Sequence, residues 1–194
     1  MKSLVRNMQS FAAFLILFAG LTGGTRAADL SQAVMLVASD TLAGSPFEQT
    51  VIVAAPLPQG GHVGFIVNRP TGVKLETLFP EQTSTHKVVE PVYAGGPAMP
   101  RAVFAVTRKA PDNSADVFPL MPGLVAVVDA ETVDQIIETM PNDARYFVGL
   151  MVWAPDELET QVDSGAWDVR PADVDSVLPA NARGLWKSLS GTPV

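Results

Sequence analysis

Apolar residues in this chain gather into short runs bounded by proline, glycine and polar turns. The runs that we predict as strands are residues 33–38, 50–55, 62–68, 88–93, 102–107, 124–128, 146–153 and 167–170. Such short runs are typical of strands, and the near-continuous apolarity of several indicates burial on both faces of a sheet. The glycine-containing turn at residues 58–61 separates two of them and predicts an antiparallel hairpin.

Helical patterns are more prominent in the second half of the chain. We expect helices over residues 74–79, after Asp129, from Pro155 to a stop at Gly165, and over residues 183–189. The helix after Asp129 has an apolar stripe at spacing i, i+3, i+4 and i+7, formed by Val133, Ile136, Ile137 and Met140. Because no internal repeat or linker interrupts the pattern, it predicts a single domain that contains both strands and helices.

The N-terminus has the pattern of an export leader. Lys2 and Arg6 give a basic start, an apolar core follows, and small residues precede a cleavage site that we place after about Ala27. The apolar core is about eleven residues long, whereas a membrane-spanning helix needs roughly 20. We therefore predict a signal peptide over residues 1–27 and a periplasmic domain over residues 28–194 with no integral membrane segment. A leader retained as a membrane anchor is the alternative.

Acidic residues outnumber basic residues by 20 to 13 in the whole chain. Cleavage removes Lys2, Arg6 and Arg26 with the leader and leaves a formal charge of −10. A protein this acidic repels nucleic-acid phosphates and anionic lipid, so nucleic acid is not an expected partner. The absence of cysteine excludes disulfides, thiolate metal sites and a cysteine nucleophile.

Six short motifs follow one another between residues 35 and 189. They are Ser45-Pro46-Phe47, Gly64-Phe65-Ile66-Val67-Asn68-Arg69-Pro70, Tyr93-Ala94-Gly95-Gly96-Pro97, Trp153-Ala154-Pro155-Asp156-Glu157-Leu158-Glu159, Gly165-Ala166-Trp167 and Pro171-Ala172-Asp173. In this order and spacing they resemble the AlgH/YqgE family of bacterial proteins. The resemblance implies an α+β fold in which a bifurcated, mostly antiparallel sheet curls into a pseudo-barrel with flanking helices. It implies no established reaction and supplies no catalytic residue or cofactor.

The chain departs from that family in two respects. Members of the family usually lack a signal peptide. In addition, Leu150-Met151-Val152 stand where the resemblance implies Tyr-Ala-Gly, and Asp156 stands where it implies glycine. A bulky strand needs different neighbours from a glycine-rich one, so we expect different packing here.

Asn68 and Arg69, which precede Pro70 at the end of an apolar run, are the first candidate binding residues. A guanidinium fork suits a carboxylate or phosphate, and a fixed cation is conspicuous in so acidic a chain. We therefore predict that Asn68 and Arg69 contact a protein partner or a small anionic ligand. The alternative is structural, because asparagine side chains mimic turns and Arg69 can pair with a nearby acid.

Gly95 and Gly96, which precede Pro97, are the second candidate. Successive backbone amides can form a concave site for an anion. The motif lacks the lysine and Ser/Thr of a phosphate-binding loop, so a sharp turn between strands is the alternative interpretation. Neither candidate implies a cofactor.

The remaining polar residues predict no metal site and no complete catalytic motif. His62 and His86 are the only histidines and lack ligand spacing. Asp156, Glu159 and Asp163 share a helical face that we interpret as solvated. The sequence therefore predicts a non-catalytic binding or interaction protein. Two alternatives stay open, namely a hydrolase that pairs a histidine with a carboxylate, and a regulatory or envelope-maintenance protein.

Overall fold

The computed structural model describes residues 29–112, 114, 116–178 and 182–191, so the predicted leader lies outside the described residues. The strands in this part of the chain are β1 (Val34–Ala38), β2 (Val51–Pro56), β3 (His62–Ile66), β4 (Tyr93–Ala94), β5 (Ala98–Thr107), β6 (Val117–Met121), β7 (Leu124–Val127), β8 (Ala144–Trp153) and β9 (Trp167–Pro171). The α-helices are α1 (Leu75–Leu78), α2 (Ala130–Thr139), α3 (Glu157–Asp163), α4 (Val174–Val177) and α5 (Leu185–Leu189). Short 3-10 helices occupy Asp40–Leu42, Thr83–Lys87 and Ala182–Gly184.

The strands form one curled sheet in the order β6-β7-β5-β8-β3-β2-β1-β9. Every neighbouring pair along this path is antiparallel, and β4 adds a parallel pairing to β8. The predicted β2–β3 hairpin is present, with Ile52 opposite Ile66. The expected α+β fold with a curled, mostly antiparallel sheet and flanking helices is confirmed.

The long strand β8 is where the sheet divides. Residues 144–148 and Leu150 pair with β5, and Phe147 and Val148 also pair with β4. Beyond them, residues 151–153 pair with β3 instead. Gly149 lies between the residues that pair with β4 and those that pair with β3, and its φ of +69° is a left-handed conformation that glycine adopts without steric cost. This change of partners makes the sheet bifurcated, as the resemblance implied.

Apolar side chains cover both faces of the sheet. On one face the rings of Phe65, Phe104 and Phe147 pack together, and the ring centroids of Phe65 and Phe147 are 5.1 Å apart. On the other face, the apolar stripe of α2 packs against β5, β7 and β8. Asp129 caps α2, because its carboxylate accepts a hydrogen bond of 2.8 Å from the Thr132 amide. The predicted cap and stripe are therefore both confirmed.

The predicted strand over residues 88–93 is wrong for most of its length. Only the two residues of β4 pair with the sheet, and a 3-10 helix precedes this segment. Val88 and Val92 are buried, whereas Val89 is 77% exposed. Pro91 has no amide hydrogen to donate to a ladder, so this run serves as a loop with two buried anchors.

Three other features of the structure differ from the prediction. The strand β6 was not predicted, and it contains Pro119 at the edge of the sheet, where proline is tolerated. The short helix α4 was also not predicted. The acidic helix α3 begins at Glu157 rather than at Pro155, because Asp156 has φ of +64° and cannot continue a right-handed helix. Asp156 therefore lies outside the face that we assigned to it.

Candidate functional site

Asn68 lies two residues after the end of β3 and is buried, with 8% of its surface exposed. Its side-chain oxygen accepts a hydrogen bond of 2.9 Å from the Val51 amide. Its side-chain nitrogen donates a hydrogen bond of 2.9 Å to the Gln49 carbonyl. Both polar atoms are thus used inside the protein, where an unsatisfied amide would be costly. The side chain of Asn68 holds the loop that leads into β2.

Arg69 reaches the same loop from the next position. Its two terminal nitrogens donate hydrogen bonds to the carbonyl oxygens of Pro46, at 2.6 Å, and Glu48, at 2.9 Å. Partial burial lowers the pKa of Arg69 below its usual range, although a guanidinium stays charged in proteins. The partners of this cation are main-chain carbonyls rather than the acidic side chain of the structural alternative. Such charge-assisted bonds are among the stronger hydrogen bonds in proteins.

Gly95 and Gly96 lie where one stretch of backbone crosses another. The Gly95 amide donates to the Val148 carbonyl at 2.8 Å, and the Gly95 carbonyl accepts from the Ile66 amide at 2.9 Å. A Cβ atom on Gly95 would lie 2.2 Å from the Gly149 carbonyl oxygen, which no packing allows. The Gly95 amide is therefore already bonded, and both glycines permit the close passage over β8.

The two candidate motifs are neighbours in the fold. The Ala94 amide donates to the Arg69 carbonyl at 2.9 Å, and Pro70 forms an isolated β-bridge with Tyr93. An open cavity of about 240 Å³ lies beside them, between residues 71–78, residues 92–96 and Val148 of β8. We call this cavity the apolar groove, and its apolar lining consists of Val73, Leu78, Val92, Ala94, Gly96 and Val148. The structure therefore brings the two motifs to one site, at which Gly96 forms part of the wall.

The apolar groove is the part of a sheet face that α2 leaves uncovered. Tyr146 and Val148 alternate with Phe147 along β8, so they share the face against which α2 packs. Tyr146 is buried, but Val148 is only half-buried. The groove residues Val73 and Leu78 are 38% and 40% exposed. Our reading of residues 74–79 as a helix did not distinguish the buried Leu75 from the exposed Leu78, so sequence reasoning missed this site.

The two histidines differ in burial and in their partners. His62 is buried, and its Nε2 lies 3.0 Å from the Leu30 carbonyl oxygen. His86 is exposed, and its Nδ1 lies 2.7 Å from one carboxylate oxygen of Glu76. The Nζ of Lys74 lies 3.5 Å from the other carboxylate oxygen of Glu76. Within the part of the chain that the structure describes, the histidine–carboxylate pair that the hydrolase alternative could use is therefore His86 with Glu76, at the surface. Among the described residues, no group of three or more potential ligands could hold a metal ion.

The buried Arg145 of β8 contacts both Glu90 and the Tyr93 ring of β4. The Nε and one terminal nitrogen of Arg145 donate to the two carboxylate oxygens of Glu90 at 2.9 and 3.1 Å. The guanidinium carbon lies 4.6 Å from the centre of the Tyr93 ring. Burial raises the pKa of Tyr93, and the nearby Arg145 opposes that rise. The bidentate ion pair and the ring contact hold Tyr93 in place beside Ala94 of the apolar groove.

Comparison with known proteins identifies the family. A family model described as AlgH-like matches residues 35–192. The chain belongs to the AlgH-like family. It is 31% identical over 163 residues to a UPF0301 protein of Thermobifida fusca, which covers 78% of this chain and 81% of that protein. It is 28% identical over 162 residues to a UPF0301 protein of Streptomyces coelicolor, with 80% and 82% covered. The predicted resemblance to AlgH/YqgE proteins is confirmed.

Two solved structures share the AlgH-like fold. The solution structure of the AlgH protein from Pseudomonas aeruginosa has a TM-score of 0.68 at 19% identity, over 88% of this chain and 94% of that one. A crystal structure of a Corynebacterium diphtheriae protein has a TM-score of 0.67 at 21% identity, over 88% and 91%. At these identities the likeness concerns the fold. In the described part of this AlgH-like chain, every helix is too short or too polar to cross a membrane.

Proposed function

We propose that this AlgH-like chain is an exported, periplasmic binding protein without catalytic activity, and that its apolar groove accepts a hydrophobic side chain of a partner protein. One observation carries the proposal. Apolar side chains from three separate segments of the chain meet around an open cavity of about 240 Å³. Building such a cavity at the surface leaves apolar area in contact with water, which is unfavourable unless a partner covers it.

The size and surroundings of the groove support a protein side chain as its occupant. Small-molecule sites usually enclose about 300–1,000 Å³, and the groove is smaller than that range. Val73 and Leu78 of its lining are exposed, and the exposed Phe79 extends this apolar surface beyond the end of α1. A hydrophobic anchor inserted into a pocket with apolar contacts around it is the arrangement that dominates many protein interfaces.

Asn68, Arg69, Gly95 and Gly96 belong to the proposed site mainly by shaping it. Gly96 lines the groove, whereas the Arg69 carbonyl accepts the hydrogen bond of Ala94. Because two nitrogens of the Arg69 guanidinium already donate to main-chain carbonyls, a protein partner is favoured over a small anion. Direct contact between a partner and the Arg69 side chain stays a prediction.

Export is the second part of the proposal, and the leader pattern of residues 1–27 supports it. When the gene is expressed in a two-membrane host, we expect the protein in the periplasmic fraction with an N-terminus near Ala28. N-terminal sequencing of the fractionated protein measures this directly. Intact protein that starts at Met1 and stays in the cytosol would contradict export, and intact protein in the membrane fraction would support the anchor alternative.

The groove is tested with the blocked tripeptides Gly-Leu-Gly and Gly-Phe-Gly, with Gly-Ala-Gly as the small control. We expect the two larger peptides to shift the methyl NMR signals of Val73, Leu78 and Val148 in a saturable way at about millimolar concentration, because one anchor buries little area. Val148→Asp should abolish the shifts. Val89→Asp is the matched control, since Val89 is 77% exposed and does not line the groove, and it should bind as the parent does.

Arg69→Ala tests in the same experiment whether Arg69 stabilises the fold or contacts the partner directly. Loss of its two carbonyl partners should lower the melting temperature while the tripeptides still bind, since the bonds are charge-assisted and worth about 1.5–3 kcal/mol. An unchanged melt with lost peptide binding would instead make Arg69 a direct contact. Equal peptide shifts in the parent and Val148→Asp would show that the groove is not the binding site.

A further inference from the structure

A second cavity, of about 390 Å³, lies beyond the C-terminal end of β1 and beside α5 and β9. The residues that give it chemical character are Ser39, Asp40, Thr41, Asp168 and Trp186. We call it the Trp186 cavity. Its volume is within the range of about 300–1,000 Å³ that is usual for small-molecule sites, and its lining is far more polar than that of the apolar groove.

Trp186 forms a fixed aromatic wall of this cavity. Its indole nitrogen donates a hydrogen bond of 2.9 Å to the Ala38 carbonyl, which holds the orientation of the ring. The other two tryptophans, Trp153 and Trp167, are buried, and both donate their indole hydrogens to Gln161. Trp186 is thus the tryptophan that lines a cavity, and the face of an indole ring is the best aromatic acceptor of a cation.

Two exposed carboxylates, those of Asp40 and Asp168, belong to residues that line the same cavity. Asp40 comes from the turn after β1, and Asp168 comes from β9. In residues 29–112, 114, 116–178 and 182–191, neither side chain has an ion-pair or hydrogen-bond partner. Arg170 lies two residues beyond Asp168 on β9, but its guanidinium donates to the Leu189 carbonyl at 3.1 Å. Neither carboxylate is therefore neutralised by an ion pair in this part of the chain.

We propose that the Trp186 cavity binds a small organic cation that carries an alkylammonium group. Three separate elements bring together an aromatic wall and two uncompensated carboxylates around a space of small-molecule size. The ring attracts the cation through its quadrupole, and the carboxylates attract it through charge. The formal charge of −10 on the mature chain adds a long-range attraction for cations. This site is independent of the apolar groove and of the proposed partner protein.

The test follows the three indole NMR signals of the mature protein during titration with butylammonium chloride. We expect a saturable shift of the Trp186 signal on the order of 1–10 mM, with little change at Trp153 and Trp167. Asp40→Asn and Asp168→Asn should each weaken binding about fivefold, through loss of one nearby charge. Asp163→Asn removes an exposed carboxylate of α3 outside the cavity, and it should bind as the parent does.

Two control titrations use sodium chloride at matched ionic strength, which lacks the organic group, and 1-butanol, which lacks the charge. If either shifts the Trp186 signal as butylammonium does, the proposal is wrong, because the site would not select an organic cation. Equal affinity in the parent and both asparagine variants would overturn it as well. A blocked Gly-Lys-Gly peptide distinguishes the source of the ammonium group, and binding of this peptide without binding of butylammonium would overturn the assignment to a small molecule.

Discussion

Replacing Gly149 by alanine is expected to leave little folded protein. The added Cβ would lie 2.2 Å from the Gly96 carbonyl oxygen and 2.9 Å from the Ala98 carbonyl oxygen. Both neighbours are backbone atoms, so neither can move aside without breaking the crossing of the Gly95–Gly96 segment over β8. We expect destabilisation of about 4 kcal/mol or more, a large part of the usual stability of a domain.

Gly165→Ala is the matched control for this experiment. Gly165 has φ of +76°, close to the +69° of Gly149, but a Cβ on Gly165 would meet no atom within 4 Å. Alanine there should therefore cost only the left-handed strain of about 1–2 kcal/mol. Urea unfolding followed by circular dichroism measures both variants. Similar midpoints for the two would mean that strain alone matters at Gly149 and that the backbone crossing is looser than described.

The strands of the sheet were largely predictable because burial on both faces leaves a simple signal. A run such as residues 50–55 has few polar positions, and its only stable place is inside a covered sheet. The same logic failed over residues 88–93, where apolar side chains anchor a loop instead. Hydrophobicity reports that Val88 and Val92 are buried, but it does not report whether their backbone pairs.

The glycine pair shows why the candidate site was only half predictable. The sequence identifies Gly95 and Gly96 as candidate residues and predicts either an anion site or a sharp turn there. The structure shows a third element, Gly149, more than fifty positions away, whose backbone makes the absence of side chains necessary. That requirement belongs to the packing of two distant segments, so no local pattern contains it.

Asn68 and Arg69 illustrate the same limit for polar residues. Their partners are backbone groups of residues 46–51, about twenty positions earlier in the chain. A sequence pattern identifies side chains with opposite charges, but every backbone carbonyl looks alike. The sequence therefore predicts a salt bridge to an acid as the structural alternative for Arg69, whereas the guanidinium bonds to two carbonyl oxygens.

Phe147→Ala is expected to destabilise the protein by about 3–5 kcal/mol, whereas Val148→Ala on the same strand should cost about 1 kcal/mol or less. Phe147 is fully buried, and its ring centroid lies 5.1 Å from that of Phe65 and 5.6 Å from that of Tyr93. Truncation to alanine therefore leaves a cavity in the cluster formed by Phe65, Phe104, Tyr93 and Phe147. Val148 is half-buried at the apolar groove, so its truncation mainly widens a space that already opens to solvent.

Thermal melts of the mature domain measure this pair. For a chain of this size, about 1 kcal/mol corresponds to roughly 2–4 °C, so Phe147→Ala should melt on the order of 10 °C below the parent and Val148→Ala within a few degrees. The comparison also bears on Val148→Asp, the groove variant, because a half-buried position can hydrate a carboxylate that a core position cannot. If Val148→Ala loses as much stability as Phe147→Ala, the strand is rotated from the described orientation. The groove would then be part of the core, and the proposal of a docking site would fail with it.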